Sequence, residues 1–470
     1  MVPGIHRERR DRGDVETFVV APTGVARGGG DGPASDDAGT DDLAGAVADG
    51  HENLHRGTPL TMWSLFQNAG FRRLWASMVV LALGDALMQM GLLELFRTHQ
   101  YDERVETAKM LFAVALPGLL LGPVAMAYLD RWQRRTVLMV SDAFRVLVVL
   151  GIALWLQPLL TGRVEERHLW VVYSLIFVIG AVTTFYYPAR YALLPNLIGK
   201  ERLVQANTLF AVTLAVTTVG GRALGGFVAE TCGVQVGVLT NAVAYMVSVV
   251  LLWRIKMPAH ATAQDANGRA PGGWEELRTG LMYLVRHRTA LPLVWLAGVF
   301  AFLLGVLVVA LVGYALNTLG LRTGGLGYLI GAGGVGAAIG LAAFGRGKPW
   351  TKSEWVPFVQ LVLGGVALWL MSRTAEVWRV VPLMVALGAV GATVMIFIDA
   401  KMQEQVEETR RGAVFAARGM LTSLTMLVAF WLQFGTKFFQ ETPSETILEW
   451  LGIGAVASAV LTLAAMRWRR

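Results

Sequence analysis

Few residues in this 470-residue chain could do chemistry. Asp85 lies near the middle of the apolar run LWASMVVLALGDALMQMGLLELF, and Gln89 follows four residues later on the same helical face. A charge at the centre of a membrane helix costs roughly 2.5–3.5 kcal/mol on insertion scales, so it needs a reason. A lone carboxyl group in such a place can take up and release a proton, which makes Asp85 the candidate for proton coupling. The plainer reading is a structural carboxylate that caps or pairs. Arg222, inside TTVGGRALGG, is a second charge within an apolar run. Glu94, Glu230, Asp399 and Arg418 stand near the ends of such runs, where snorkelling to water is expected.

A denser group of charges lies in GPVAMAYLDRWQRRTVLMVSDAFR, which holds Asp130, Arg131, Arg134, Arg135, Asp142 and Arg145. A short loop of alternating charge can latch helix ends through ion pairs that break when two halves rock. Asp142 and Arg145, three apart, share a helix face. Simple anchoring of the loop at the membrane surface is the alternative. The chain has one cysteine, Cys232, which excludes an internal disulfide framework and a cysteine metal cluster. The seven histidines (His6, His51, His55, His99, His168, His260 and His287) read as lying outside the apolar runs. No intramembrane metal site or histidine base is therefore expected, and no cofactor.

The elements that carry these residues follow from composition. The chain is 54% hydrophobic and only 16% charged, with mean hydropathy +0.51. A soluble domain carries roughly a quarter charged residues. Twelve apolar runs are expected to be membrane helices, at about 74–96, 109–129, 136–158, 168–188, 206–229, 234–254, 291–315, 324–344, 355–372, 378–398, 413–435 and 446–466. Each approaches the ~20 residues that cross ~30 Å of hydrocarbon. The net charge of +7 does not point to nucleic acid, because the basic residues sit in short loops between the runs.

Alternate loops are rich in Arg and Lys. One set carries Arg131, Arg134, Arg135, Arg190, Lys200, Arg202, Arg346, Lys348, Lys352, Lys401, Arg410 and Arg411. The positive-inside rule then places both termini in the cytoplasm of a multi-pass cell-membrane protein. Residues 1–60, rich in Gly, Asp and Ala over 26–50, read as a disordered cytoplasmic tail. Thr61–Arg73 reads as an amphipathic lead-in helix. The polar stretch from Lys256 divides the runs into six and six: halves at 61–255 and 290–470, joined by a linker at 256–289 with an amphipathic helix, Trp274–Arg288. A short repeat supports this, GLLLG at Gly118–Gly122 and GAAIG at Gly336–Gly340, each leading to a basic loop. Parallel halves are a common transporter plan.

The loop after the second run resembles the signature loop of the major facilitator superfamily. Asp130, Arg131, Arg134, Arg135, Asp142 and Arg145 fill its charged positions, with Gln133 where glycine is frequent. FYYPARYALLPNLIGKERLVQAN, through Pro188, Arg190, Pro195, Glu201, Ala206 and Asn207, is similar to the bacterial branch of drug, macrolide and siderophore exporters. Its prolines are expected to end the fourth helix. Gly221, Gly225 and Gly226 match that branch's antiporter motif, but Arg222 replaces its proline. Arg410–Gly419 is a weaker match, with Ala413 where the branch usually has Arg.

The resemblance implies an all-α membrane protein of twelve helices in two six-helix halves, with helices one, four, seven and ten around a central cavity. Gln89, Tyr186, Tyr187, Met395 and Phe397 would line it, and with Phe185 the aromatic and Met residues would give a wall suited to amphipathic or bulky apolar substrates; lipid-facing or packing roles are the plainer reading for them. No cluster of charges suited to a polyanion is apparent. Helices one and five would be neighbours, so Arg222 could pair with Asp85. Close packing of small residues is the other reading for Gly221, Gly225, Gly226, Gly336 and Gly340, with helices five and eight in contact. The expected function is proton-coupled export of hydrophobic or amphipathic small molecules by a monomer. A lysophospholipid translocator of the same fold is the alternative. A membrane-embedded enzyme or sensor would need intramembrane His, Ser-His or Cys groups that the runs lack.

Overall fold

The structure is a computed structural model that describes residues 62–129, 132–161, 166–256, 273–287, 291–344, 355–407 and 410–468. The expected tail, the linker segment 257–272, and Asp130 and Arg131 of the charged loop lie outside them. The described residues are helical. They form α1 (Ala69–Thr98), α2 (Glu103–Leu129), α3 (Arg134–Thr161), α4 (Glu166–Ile198), α5 (Leu203–Cys232), α6 (Val234–Trp253), α7 (Gly273–Arg286) and α8 (Leu291–Gly313). They continue as α9 (Thr323–Phe344), α10 (Val356–Ser372), α11 (Val377–Gln405), α12 (Arg411–Gly435), the short α13 (Lys437–Glu441) and α14 (Ser444–Trp468). Among the described residues, eleven helices are long and apolar enough to cross a membrane. With the shorter apolar α10 they make the twelve expected spans.

Several boundaries differ from the sequence reading for identifiable reasons. Thr61–Arg73 is not one helix. A 3-10 turn, Met62–Gln67, stops at Asn68, whose side chain accepts a hydrogen bond from Phe71 N and starts α1 as its N-cap. Pro188 and Pro195 do not end the fourth span but lie inside the 33-residue α4. A membrane helix tolerates proline where neighbouring helices, Ser/Thr side chains and local adjustments of the turn satisfy the freed carbonyls. The chain turns instead at Gly199, whose φ of +80° suits glycine. His168 falls in the first turn of α4 and not outside it. α8 ends in one π turn, Tyr314–Thr318, fastened by Tyr314 Oη donating to the carbonyls of Met371 (2.8 Å) and Thr374 (2.6 Å).

In the first set of six, α1 packs on α5 and α6, α2 on α4, and α3 on α4 and α6. In the second, α8 packs on α12 and α14, α9 on α11, and α10 on α11 and α14. The two sets meet along α5–α9 and α2–α12. Small residues set these spacings. A Cβ on Gly84 would lie 2.6 Å from Ala244 Cβ, one on Gly221 2.9 Å from Ala86 Cβ, and one on Gly225 3.0 Å from the Ala86 carbonyl. α1 is thereby drawn onto both α5 and α6. A Cβ on Gly226 would lie 2.5 Å from Gly324 Cα, and one on Gly327 2.6 Å from the Arg222 carbonyl, so α5 and α9 touch backbone to backbone. Gly336 and Gly340 face elsewhere: they press on Val385 and Ala389 of α11. The glycines of α9 thus serve two neighbours. Gly118 and Gly122 of the matching repeat have nothing within 4 Å of a built Cβ, so the repeat is not a shared packing device.

Candidate functional site: a charged pocket beside an apolar chamber

The four helices around Asp85 carry polar residues at helical spacing. On α6, Asn241, Tyr245 and Ser248 are four and three residues apart and form one stripe of an otherwise apolar helix. The close approach of α6 to α1 at Gly84 puts Tyr245 against Asp85, and its hydroxyl donates to Asp85 Oδ1 at 2.7 Å. Ser248 Oγ donates to Asp142 Oδ2 at 2.6 Å. Arg145 Nη1 donates to Asp142 Oδ1 at 3.0 Å, and its Nη2 to Thr183 Oγ1 at 2.9 Å. The Arg145 guanidinium lies 4.5 Å from the Tyr186 ring centre and 5.4 Å from that of Tyr245. One network therefore joins α1, α3, α4 and α6. Asp142 is fully shut in, at 0% exposure, whereas Asp85 is partly open.

What Asp85 opens onto is a cavity of about 170 Å³, also lined by Gln89, Arg145, Tyr186, Tyr187, Arg190 and Arg222. A second chamber of about 430 Å³ adjoins it. Its wall is apolar and comes from both sets of helices, including Met90, Leu93 and Met110 on one side and Phe300, Leu307, Met384 and Met395 on the other. Gln89 and Arg222 line both spaces, and Arg222 Nη2 donates to Gln89 Oε1 at 3.5 Å. Arg222 and Gln89 form the partition between them.

Several sequence expectations change. Arg222 meets Gln89 and not Asp85; the cation nearest Asp85 in the network is Arg145, which stacks on the tyrosine that Asp85 accepts from. Tyr186 and Tyr187 face the charged cavity, Met395 faces the apolar chamber, and Phe397 is buried at 5% exposure away from either wall. Asp142 and Arg145 belong to the buried core and not to a surface latch. Arg134 Nη1 donates to the Ala192 carbonyl at 2.8 Å, and Arg135 Nε to that of Leu252 at 3.1 Å, so both tie α3 to helix ends within the first six. Arg190 is no loop cation: it is 4% exposed, boxed by Tyr187, Tyr191 and Phe210 at 5.0–5.4 Å. With Arg145 and Arg222 it puts three cations on one cavity, a cluster the linear sequence does not reveal.

Among the described residues, the hydrogen bonds that cross between the two sets lie at the end of the bundle remote from where α1 begins. Glu94 Oε2 accepts from Thr323 Oγ1 at 2.6 Å and Glu230 Oε1 from Gly324 N at 2.7 Å. Arg104 donates to the carbonyls of Gln440 (2.6 Å) and Thr442 (2.7 Å). Glu94 is buried at 5% and also pairs with Arg97, so it does not snorkel. Asp399 and Arg418 likewise form an ion pair.

A twelve-helix bundle in two sets around such a chamber is a transporter architecture. The sequence profile of the Major Facilitator Superfamily matches residues 74–430. The chain belongs to this superfamily. It is a multi-pass membrane transporter. Relatives include an uncharacterized MFS-type transporter of Mycobacterium tuberculosis, 27% identical over 395 residues that cover 79% of this chain and 86% of the relative. The lysophospholipid transporter LplT of Photorhabdus laumondii is 24% identical over 371 residues, covering 76% and 86%. Among solved structures, a bacterial homologue of the iron transporter ferroportin in an inward-facing state shares the fold, with a TM-score of 0.64 at 16% identity, covering 84% of this chain and 98% of that one.

The sequence does carry a signal for the network around Asp85. Asn241, Tyr245 and Ser248 form a polar stripe, and Thr183, Tyr186, Tyr187 and Arg190 form another on α4. Two such stripes facing a carboxylate helix mark an internal polar site.

Proposed function

We propose that this superfamily member is a proton-coupled exporter of hydrophobic or amphipathic small molecules, of the drug, macrolide and siderophore exporter type. It would sit in the cell membrane with both termini in the cytoplasm. One observation carries the reading: Asp85 opens onto a charged cavity that adjoins an apolar chamber between the two helix sets across only Gln89 and Arg222. Proton exchange at Asp85, relayed to Tyr245 and the Arg145–Asp142 pair, would alter the charge balance beside the partition. The halves, 61–255 and 290–470, would then rock about the α5–α9 and α2–α12 seams. The fastening at Glu94 and Glu230 fits a state that is shut at the end remote from where α1 begins. Gln89, Tyr187 and Met395 would contact substrate, with Tyr186 shaping the wall. The decisive measurement is uptake of a hydrophobic dye or drug into proteoliposomes under an imposed pH gradient. Transport should follow the gradient in the native protein and lose that dependence in Asp85→Asn. Gradient-independent movement in the native protein would refute the coupling.

A second reading, translocation of a lysophospholipid, is favoured by the LplT relative, which aligns over 86% of its length. Following a fluorescent lysophospholipid across the same proteoliposomes separates the two.

A further inference from the structure

We infer that Arg222, supported by Arg190, is the seat for an anionic head group, so that the substrates are amphiphiles bearing a phosphate or carboxylate. This rests on the transport reading above and narrows its substrate class.

The inference starts from charge balance. Arg145, Arg190 and Arg222 line the cavity with one carboxylate, Asp85. Arg145 is answered by Asp142 at 3.0 Å. Arg190 and Arg222 enter none of the ion pairs among the described residues. A cation out of water without a counter-charge is costly, and a site that tolerates one is prepared for an incoming anion. Arg190 is packed among three rings, and its buried Nε has no hydrogen-bond partner. Among the described residues Arg222 has a single hydrogen bond, to Gln89 at 3.5 Å, long enough that a ligand oxygen would displace it at little cost. A planar guanidinium matches the paired oxygens of phosphate and carboxylate.

Position supplies the rest. Because Arg222 lines both spaces, a head group held there would direct an attached hydrocarbon chain into the 430 Å³ apolar chamber. A cationic head would meet three arginines, and a small polyanion would leave the apolar chamber unfilled.

The test uses the full chain in phosphatidylcholine nanodiscs, with empty nanodiscs subtracting membrane partition. Radiolabelled dodecyl phosphate, dodecanoate, dodecyltrimethylammonium and uncharged dodecanol are titrated in turn. At least one anionic probe should bind about tenfold or more tightly than the cationic and uncharged ones. The better of the two anions identifies the head as phosphate or carboxylate. Arg222→Gln should erase this preference, and Arg222→Lys should keep most of it. Arg190→Gln should weaken it. The comparison of probes on the native protein decides the matter even where a variant fails to fold. Equal binding of all heads, or a preference that survives both Gln substitutions, would overturn the seat and leave the transport reading standing. Binding of no probe above empty nanodiscs would overturn both.

Discussion

The remote closure offers a clean perturbation. Thr323→Val keeps the shape of the side chain and deletes one hydroxyl, the one that donates to Glu94 Oε2 at 2.6 Å across the two helix sets. A hydrogen bond to a charged group contributes about 1.5–3 kcal/mol. Glu94 Oε2 retains a second donor, Arg97 Nε at 3.0 Å, so the loss belongs at the lower end, about 1.5 kcal/mol. When the seam opens, water takes over the carboxylate, so the substitution acts on the closed form alone. The ratio of closed to open should therefore fall about tenfold, since 1.4 kcal/mol is a factor of ten. Spin labels on cysteines replacing Gln100 and Arg322 flank the seam on opposite sets and are both exposed. The exposed native thiol, Cys232, is first changed to Ala. Double electron–electron resonance in proteoliposomes then reads the populations directly. Thr323→Val should enlarge the long-distance population, and Thr323→Ser should restore the native distribution. Identical distributions for Val and native protein would show that this hydroxyl does not hold the end shut.

Two other consequences are open to measurement. Asp142→Asn strands Arg145 in the core and should lower stability in detergent by about 3–5 kcal/mol, while replacing both residues by apolar ones should recover much of it, as a thermal-unfolding double-mutant cycle would reveal. Gly336→Ala drives a Cβ into the Val385 carbonyl and should cost about 1–3 kcal/mol, whereas Gly118→Ala, with nothing within 4 Å, should be neutral or slightly stabilising by the same assay.

The apolar runs carried the fold because span length and unbroken hydropathy are properties of the linear chain. Asp85 stood out in the same way, as a charge where a bilayer penalises one. What the chain order could not convey was pairing across helices. As single charges in neighbouring spans, Arg222 and Asp85 read as partners. The register of α5 on α1, set by Gly221 and Gly225 against Ala86, places Arg222 beside Gln89 instead. Arg190, with a proline on either side, reads as a loop cation. α4 runs through both prolines and carries it inside. Asp142 and Arg145 follow a charged loop closely in sequence, but α3 begins at Arg134 and draws them two turns into the bundle.

The α5–α9 seam has an energetic consequence of its own. Where Gly226 meets Gly324 and Gly327 meets Ala223, the contact is made of main chain with almost no side chain between. Separating such surfaces releases no frozen rotamers and uncovers little hydrocarbon, so neither entropy nor solvation strongly favours one position of the helices over another. Over this stretch the seam would act as a low-friction bearing, while Val219 of α5, seated against Gly331 and Gly334 of α9, keys it farther along. The choice between conformations is left to the few polar fasteners at the remote end and to whatever occupies the chamber.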